Sequence, residues 1–254
     1  MPVRWIDGRG LGLVVKEAQV VLIWRLMLGL RPNVKTRSFC APAFLRTTIA
    51  RDMNAPQVIK NQLKEWLTAH RGHGQSDVFI EELCIVDKSN RADLVHANGA
   101  LLGFEIKSAN DTLTRWESQC AAYAQIFDEV WLCCHARHVQ RAYELSAQYV
   151  GLMAVDDHGG LIVLRAAKQN KRIDVHAIAG LLWRSEIDEL LNRHGLPVNR
   201  REKIGDARER CCANLSATDI KAEVLLRLKQ RYRGYGSSSA ESLTAPGVNP
   251  PLSI

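Results

Sequence analysis

The stretch Arg91-Ala-Asp93-Leu-Val-His-Ala97-Asn98-Gly99-Ala100-Leu-Leu-Gly103-Phe-Glu105-Ile-Lys107 decides how this chain folds. Two apolar, β-prone runs flank Asn98-Gly99, a turn pair that strongly signals a hairpin. Side chains alternate along a strand, so Glu105 and Lys107 share one face and Ile106 takes the other. A glutamate and a lysine within the apolar run of Leu101, Leu102, Phe104 and Ile106 are costly to bury, and should pair or bind a metal. The place of Asp93 depends on the turn. In a strict two-residue hairpin facing positions sum to 197, and Asp93 opposes Phe104, away from Glu105. A three-residue loop, Asn98-Gly99-Ala100, or a bulge raises the sum to 198 and sets Asp93 opposite Glu105. We expect that second register.

Outward from the hairpin the pattern alternates between the two regular structures. Val58, Ile59, Leu63, Trp66 and Leu67 recur at helical spacing over residues 55–70, and Val78–Val86 reads as a strand with Glu81 and Glu82 embedded. Residues 112–127 read as a helix capped by Asp111 or Thr112. Glu129–Cys134 reads as a buried strand, Val139–Gln148 as a helix, and residues 151–155 and 161–164 as a second hairpin. After Arg165 the texture becomes helical, roughly over 174–194, 202–214 and 216–233. This order predicts an α/β fold, a mixed central sheet flanked by helices with a helical C-terminal extension. The expected organisation is a leader over 1–52, a core over 53–165, the extension over 166–233 and a disordered tail over 234–254.

The formal net charge of +7 is unevenly spread. Residues 53–164 hold 9 basic and 14 acidic side chains, and residues 165–233 hold 16 and 9. An acidic middle and a basic C-terminal third suit a carboxylate metal site beside a phosphate-binding surface, or equally a solvated helical face. The seven cysteines are odd in number and include no C-x-x-C, so disulfide, zinc and iron–sulfur frameworks lack their spacing. No uncharged apolar stretch reaches the roughly 18 residues of a membrane span, and a cytoplasmic protein is expected. The run from Leu11 to Leu30 is interrupted by Lys16, Glu17, Gln19 and Arg25, too polar for a signal-peptide core. Met53 stands directly before the first clean helix, so residues 1–52 read as translated upstream sequence. A membrane-surface helix is the less favoured reading.

Arg91-Ala-Asp93-Leu, followed by Gly103-Phe-Glu105-Ile-Lys107-Ser108, resembles the D…E-x-K signature of the PD-(D/E)XK nuclease superfamily. Gln119 and Tyr123 in the next helix are similar to the Q-x-x-x-Y element of its RecB-like branch, and a spacing of four puts both on one helical face. Leu181-Leu-Trp183-Arg184-Ser-Glu186 and the helices after it resemble the sce-type family of uncharacterised bacterial proteins. The superfamily resemblance implies a restriction-endonuclease-like fold and a nuclease site. In that site Asp93, Glu105 and an additional acid, Glu82, hold Mg²⁺ (or Mn²⁺), Lys107 assists the attacking water, and Gln119 and Tyr123 position DNA.

For a Mg²⁺-dependent hydrolysis of DNA the donors are right in kind, because this ion takes oxygen ligands and keeps several waters. Arg200, Arg201 and Lys203 form a basic cluster suited to phosphate contact or to a solvated loop. The alternative for Asp93, Glu105 and Lys107 is an ordinary ion pair on an edge strand, and for Glu82 a pair with Arg91 or Lys107. At the level of function the alternative is a catalytically silent nucleic-acid-binding or protein-interaction module. His70 and His73, three apart, lack a third ligand by spacing, as do His135 and His138. The cluster Gly8-Arg-Gly10-Leu-Gly12 has no strand signal before it and receives no phosphate-binding role. If the leader is dispensable, removing residues 1–52 leaves solubility and the far-UV circular dichroism of the remainder unchanged. An insoluble or unfolded truncation rejects that reading.

Overall fold

The computed structural model describes residues 3–6, 12–15, 56–86, 88–157 and 160–233. Strands β1 (Val3–Ile6) and β2 (Gly12–Val15) pair antiparallel with each other, separately from the main sheet. A strand therefore precedes Gly8 and Gly10, which the sequence did not suggest. The apolar run beyond residue 15, Met53 and the tail from Gly234 lie outside the described residues.

The main body follows the order helix α1 (Pro56–Arg71), β3 (Val78–Ile85), β4 (Asn90–Ala97), β5 (Leu101–Lys107), α2 (Trp116–Ile126) and β6 (Glu129–His135). It continues with α3 (Val139–Leu145), β7 (Gly151–Val155) and β8 (Leu161–Arg165). These strands form one mixed six-stranded sheet in chain order, β5–β6 and β6–β7 parallel and the other neighbours antiparallel. Parallel neighbours need a crossover, and α2 and α3 supply the two.

Both faces of the sheet are covered. Ile59, Leu63 and Leu67 of α1 pack on Leu94, Leu102, Phe104, Ile106 and Trp131 on one side. On the other, Trp116, Tyr123 and Ile126 of α2 meet Ile80, Val95 and Leu132. The extension consists of α4 (Val175–Ala179), α5 (Arg184–Arg193), α6 (Ile204–Asn214) and α7 (Ala217–Tyr232). Its Ile178, Leu190, Val224 and Leu228 share the second core, so it is packed on the sheet by the same apolar burial that holds α2.

Two local readings are corrected. The helix expected over 112–127 begins at Trp116, and neither proposed cap caps it: the Asp111 carboxylate instead accepts from Ser108 N at 2.7 Å and Ser108 Oγ at 2.6 Å. The single helix expected over 174–194 is two. Trp183, in extended conformation at the head of α5, donates its N–H to the Glu186 carboxylate at 2.7 Å and so starts a new helix.

The β4–β5 turn is the three-residue loop. Leu94↔Phe104, Val95↔Gly103, His96↔Leu102 and Ala97↔Leu101 all sum to 198. Asn98 N donates to Ala100 O at 3.2 Å, and Gly99 takes φ +121°, which side chains other than hydrogen resist. Gly103 has a different reason: a Cβ there would lie 2.2 Å from the ring of the fully buried Phe127. Gly103→Ala is expected to destabilise the fold by about 1–3 kcal/mol through overpacking, and Phe127→Leu in the same chain to recover part of it. Purely additive losses in a denaturant double-mutant cycle would contradict this close approach.

Candidate active site

Strand β5 lies between β4 and β6, and all seven of its residues are buried, which removes the edge-strand reading of Glu105 and Lys107. Glu105 is only 2 % exposed and Lys107 5 %. Unpaired charges at that depth would cost several kcal/mol, and the neighbouring helix supplies what they need. Lys107 Nζ lies 2.6 Å from Glu105 Oε1 and donates to Gln119 Oε1 at 3.0 Å. Gln119 Nε2 donates back to Glu105 Oε1 at 2.6 Å, and the Tyr123 hydroxyl donates to Glu105 Oε2 at 2.6 Å. Residues four apart on α2 thus grip both oxygens of one carboxylate. Burial, with Glu105 beside it, pushes the Tyr123 hydroxyl well above its usual pKa, so it remains a donor.

Asp93 completes the group. The β4–β5 ladder ends at Leu94↔Phe104; one step further, position 93 faces position 105. There the Asp93 carboxylate accepts from Ile106 N at 2.7 Å, and Asp93 N donates to the Tyr123 hydroxyl at 3.3 Å. Burial first, and the Glu105 charge second, push the Asp93 carboxyl up to about 6, against the lowering effect of the Ile106 N–H. Two acids crowd one place, which is the electrostatic situation a cation relieves.

Asp93, Glu105, Lys107 and Gln119 open on a cleft of about 640 Å³, whose wall also includes Lys60, Glu82, Lys88, Arg91, Asp111 and Arg115. Glu82 lies in this cleft, but its carboxylate is held by Lys60 and by Arg91 at 2.6 Å, one of the two pairings foreseen plus one that was not. Glu81 turns to α1 and pairs with Lys64 at 2.5 Å. Tyr123 stays behind the cleft, fully buried. Arg200, Arg201 and Lys203 do not line it; they lie on the connection between α5 and α6, exposed. The cations that line it beside Lys107, namely Lys60, Lys88, Arg91 and Arg115, are not marked out by the sequence as a group. Arg91 alone leaves a signal, two residues before Asp93. Sequence also missed a grouping elsewhere: His73 meets Asp77 and His96, whose separation in the chain hid the third ligand. His135 and His138 are occupied, with Asp157 at 3.0 Å and with Ser108 O at 3.1 Å.

With this geometry in hand, comparison with known proteins places the chain. Residues 50–246 match the family described as Bacteriophage P4 protein cII. Protein cII of Enterobacteria phage P4 is 28 % identical over 179 residues, 69 % of this chain and 67 % of that relative. No solved structure matches. The chain belongs to the phage P4 cII family, and the matched span contains the whole cleft.

A raised carboxyl pKa favours the folded state only while the group is protonated. The contribution of Asp93 is therefore present below about pH 4 and lost as pH rises through about 6. Asp93→Asn, which keeps an oxygen for Ile106 N, should stabilise the metal-free protein by roughly 1–3 kcal/mol at pH 8, with the advantage fading to nothing near pH 4. Denaturant midpoints measured across that range check it; a difference independent of pH means that the Asp93 carboxyl is not raised.

Proposed function

We propose that this chain is a Mg²⁺-dependent nuclease of the PD-(D/E)XK kind that hydrolyses phosphodiester bonds in DNA. The observation that carries the reading is the register of β4 and β5. It sets Asp93 across from Glu105 in a cleft where Lys107 and Gln119 already stand. The donors fit the ion in kind, since Asp93 and Glu105 offer only oxygen and repel each other without a cation. These two carboxylates would hold Mg²⁺, or Mn²⁺ in its place. The bound ion supplies an acidified water and neutralises charge on the scissile phosphate.

The chain's own residues do the rest. Gln119 and Tyr123 each donate one hydrogen bond to the Glu105 carboxylate, so its orientation is set before substrate arrives. Lys107, restrained by Glu105 and Gln119, presents an ammonium donor to the attacking water or to the phosphate oxygen that gains charge. Lys88, Arg91 and Arg115 along the wall suit the flanking phosphates, the role for which the sequence offered Arg200, Arg201 and Lys203. Glu82, already shared by two cations, is a reserve ligand available once Lys60 or Arg91 engages a phosphate. Among the described residues no helix is long and apolar enough to cross a membrane. A cytoplasmic setting suits the six described cysteines, all unbridged.

A second reading has one observation in its favour. Every group of the Glu105–Lys107–Gln119–Tyr123 network finds a partner within the chain, as in a silent structural network on a binding module. Turnover separates the two. With Mg²⁺, the protein should cleave single-stranded or duplex DNA, and Glu105→Gln and Lys107→Ala should each reduce the rate by at least about 100-fold, with DNA affinity retained. Neutralising Lys88 and Arg115 should leave the cleavage chemistry in place and shrink the slope of log affinity against log salt by roughly 0.9 for each duplex phosphate left without its cation. No cleavage with Mg²⁺ or Mn²⁺ on any DNA form, with binding intact, establishes the silent module instead.

A further inference from the structure

Nearer the C-terminal ends of α1 and β4, away from the cleft, a second set of donors converges. We infer that His73, Asp77 and His96 form a binding site for one divalent transition cation of the zinc, cobalt or nickel class. It is separate from the carboxylate cleft, with which its own opening shares no residue. His96 projects from β4 and is 0 % exposed; His73 and Asp77 belong to the connection between α1 and β3.

One ligand atom from each residue lies within 4.8 Å of the other two. His73 Nδ1 and His96 Nε2 stand 3.2 Å apart. Two donors on a tetrahedral ion with bonds of about 2.0–2.1 Å are roughly 3.3 Å apart, so this edge of the polyhedron already has its length. Two imidazoles and a carboxylate suit borderline cations and disfavour Mg²⁺, which takes oxygen.

The donors are held in place from behind. Phe79 stacks on His73 with centroids 4.4 Å apart and on His96 at 4.6 Å, fixing the planes of both rings. Asp77 Oδ2 accepts from Gly74 N at 2.7 Å, an orienting bond of the kind that supports metal ligands, and Asp77 Oδ1 pairs with Lys229 Nζ at 2.7 Å. Lys229 is the cation that balances Asp77 in the metal-free chain, and it sets the competition an incoming ion must win.

One further feature points to a ligand. A cleft of about 650 Å³, bordered by Lys64, His73, Asp77, Phe79 and Tyr232, opens on the group. It gives an ion an entry path and room for the water that completes a three-ligand site. The consequence is mechanical: the ion cross-links the α1–β3 connection to a central strand, next to the α7 residue Lys229.

The test uses the full chain without a histidine tag, with Mg²⁺ in excess to occupy the carboxylate cleft, titrated with Co²⁺. We expect one equivalent to bind, with the intense visible ligand-field bands of low-coordinate cobalt, and Zn²⁺ to displace it. His73→Ala, at a surface connection, should weaken binding by more than about 10-fold. Lys229→Met should strengthen it by freeing Asp77, which a site elsewhere would not do. Should His73→Ala not fold, His73→Gln and cobalt-induced broadening of the His96 imidazole signals in the unaltered chain decide the matter. Absent bands, bands that persist in His73→Ala, or broadening confined to other residues would each overturn the assignment.

Discussion

The structure depends on a register. Three residues, Asn98, Gly99 and Ala100, join β4 to β5, so facing positions sum to 198. One residue fewer would turn β4 over with respect to β5, because side chains alternate with a period of two. Leu94 and Asp93 would then exchange faces: an apolar side chain would meet Glu105, and a carboxylate would be driven among Leu63, Leu102 and Phe104. Burying that charge without a partner is worth several kcal/mol, so the same energetics that select the fold also select the face of the candidate site. Gly99, at φ +121°, is where the backbone accommodates this choice.

A second irregularity gives the site its opening. Along β3, Val78 and Ile80 enter the core beside α2, and so do Leu83 and Ile85, although strict alternation would send the latter pair to the other face. The phase slips at Glu82, which sits at φ +56°, and the β3–β4 ladder skips from Glu81↔Leu94 to Leu83↔Ala92. Residues other than glycine adopt such backbone rarely and at a cost of about 1–3 kcal/mol. Here Lys60 and Arg91 hold the Glu82 side chain. Beside this break the β4–β5 ladder also ends, and the Asp93 carboxylate takes over Ile106 N. The strands separate where the acids need room.

Much of this was legible. Strand and hairpin signals are local, and the Asn98-Gly99 turn, the Glu105–Lys107 face and the Gln119–Tyr123 spacing follow from short-range periodicity. The slip in β3 is written there too, in apolar residues at 78 and 80 and then at 83 and 85, although the pair Glu81-Glu82 disguised it. What failed was of two kinds. Helix ends depend on single hydrogen bonds, such as Trp183 N to Glu186, that compete closely with continuation. Proximity between distant segments has no local signal at all: Lys60 reaches the cleft from α1, and His96 meets His73 across a strand and a loop. The basic run Arg200, Arg201 and Lys203 was conspicuous in sequence, yet lies apart from the cleft.

Charge shows the same difference between segment and site. Residues 53–164 carry more acid than base, 14 against 9, which reads as a poor surface for a polyanion. The cleft built from those residues is the reverse, with Lys60, Lys88, Arg91, Lys107 and Arg115 against Glu82, Asp93, Glu105 and Asp111. Folding gathers five of the nine basic side chains around four of the fourteen acids and sends most of the remaining acid elsewhere. In the proposed reaction a divalent ion on Asp93 and Glu105 makes the excess positive charge larger, and a phosphodiester backbone is the ligand that balances it. The burial and, after it, the Glu105 charge that raise the Asp93 carboxyl to about 6 then have a use: they are the part of the free cleft's electrostatic cost that metal and substrate together remove, so each should bind more tightly in the presence of the other.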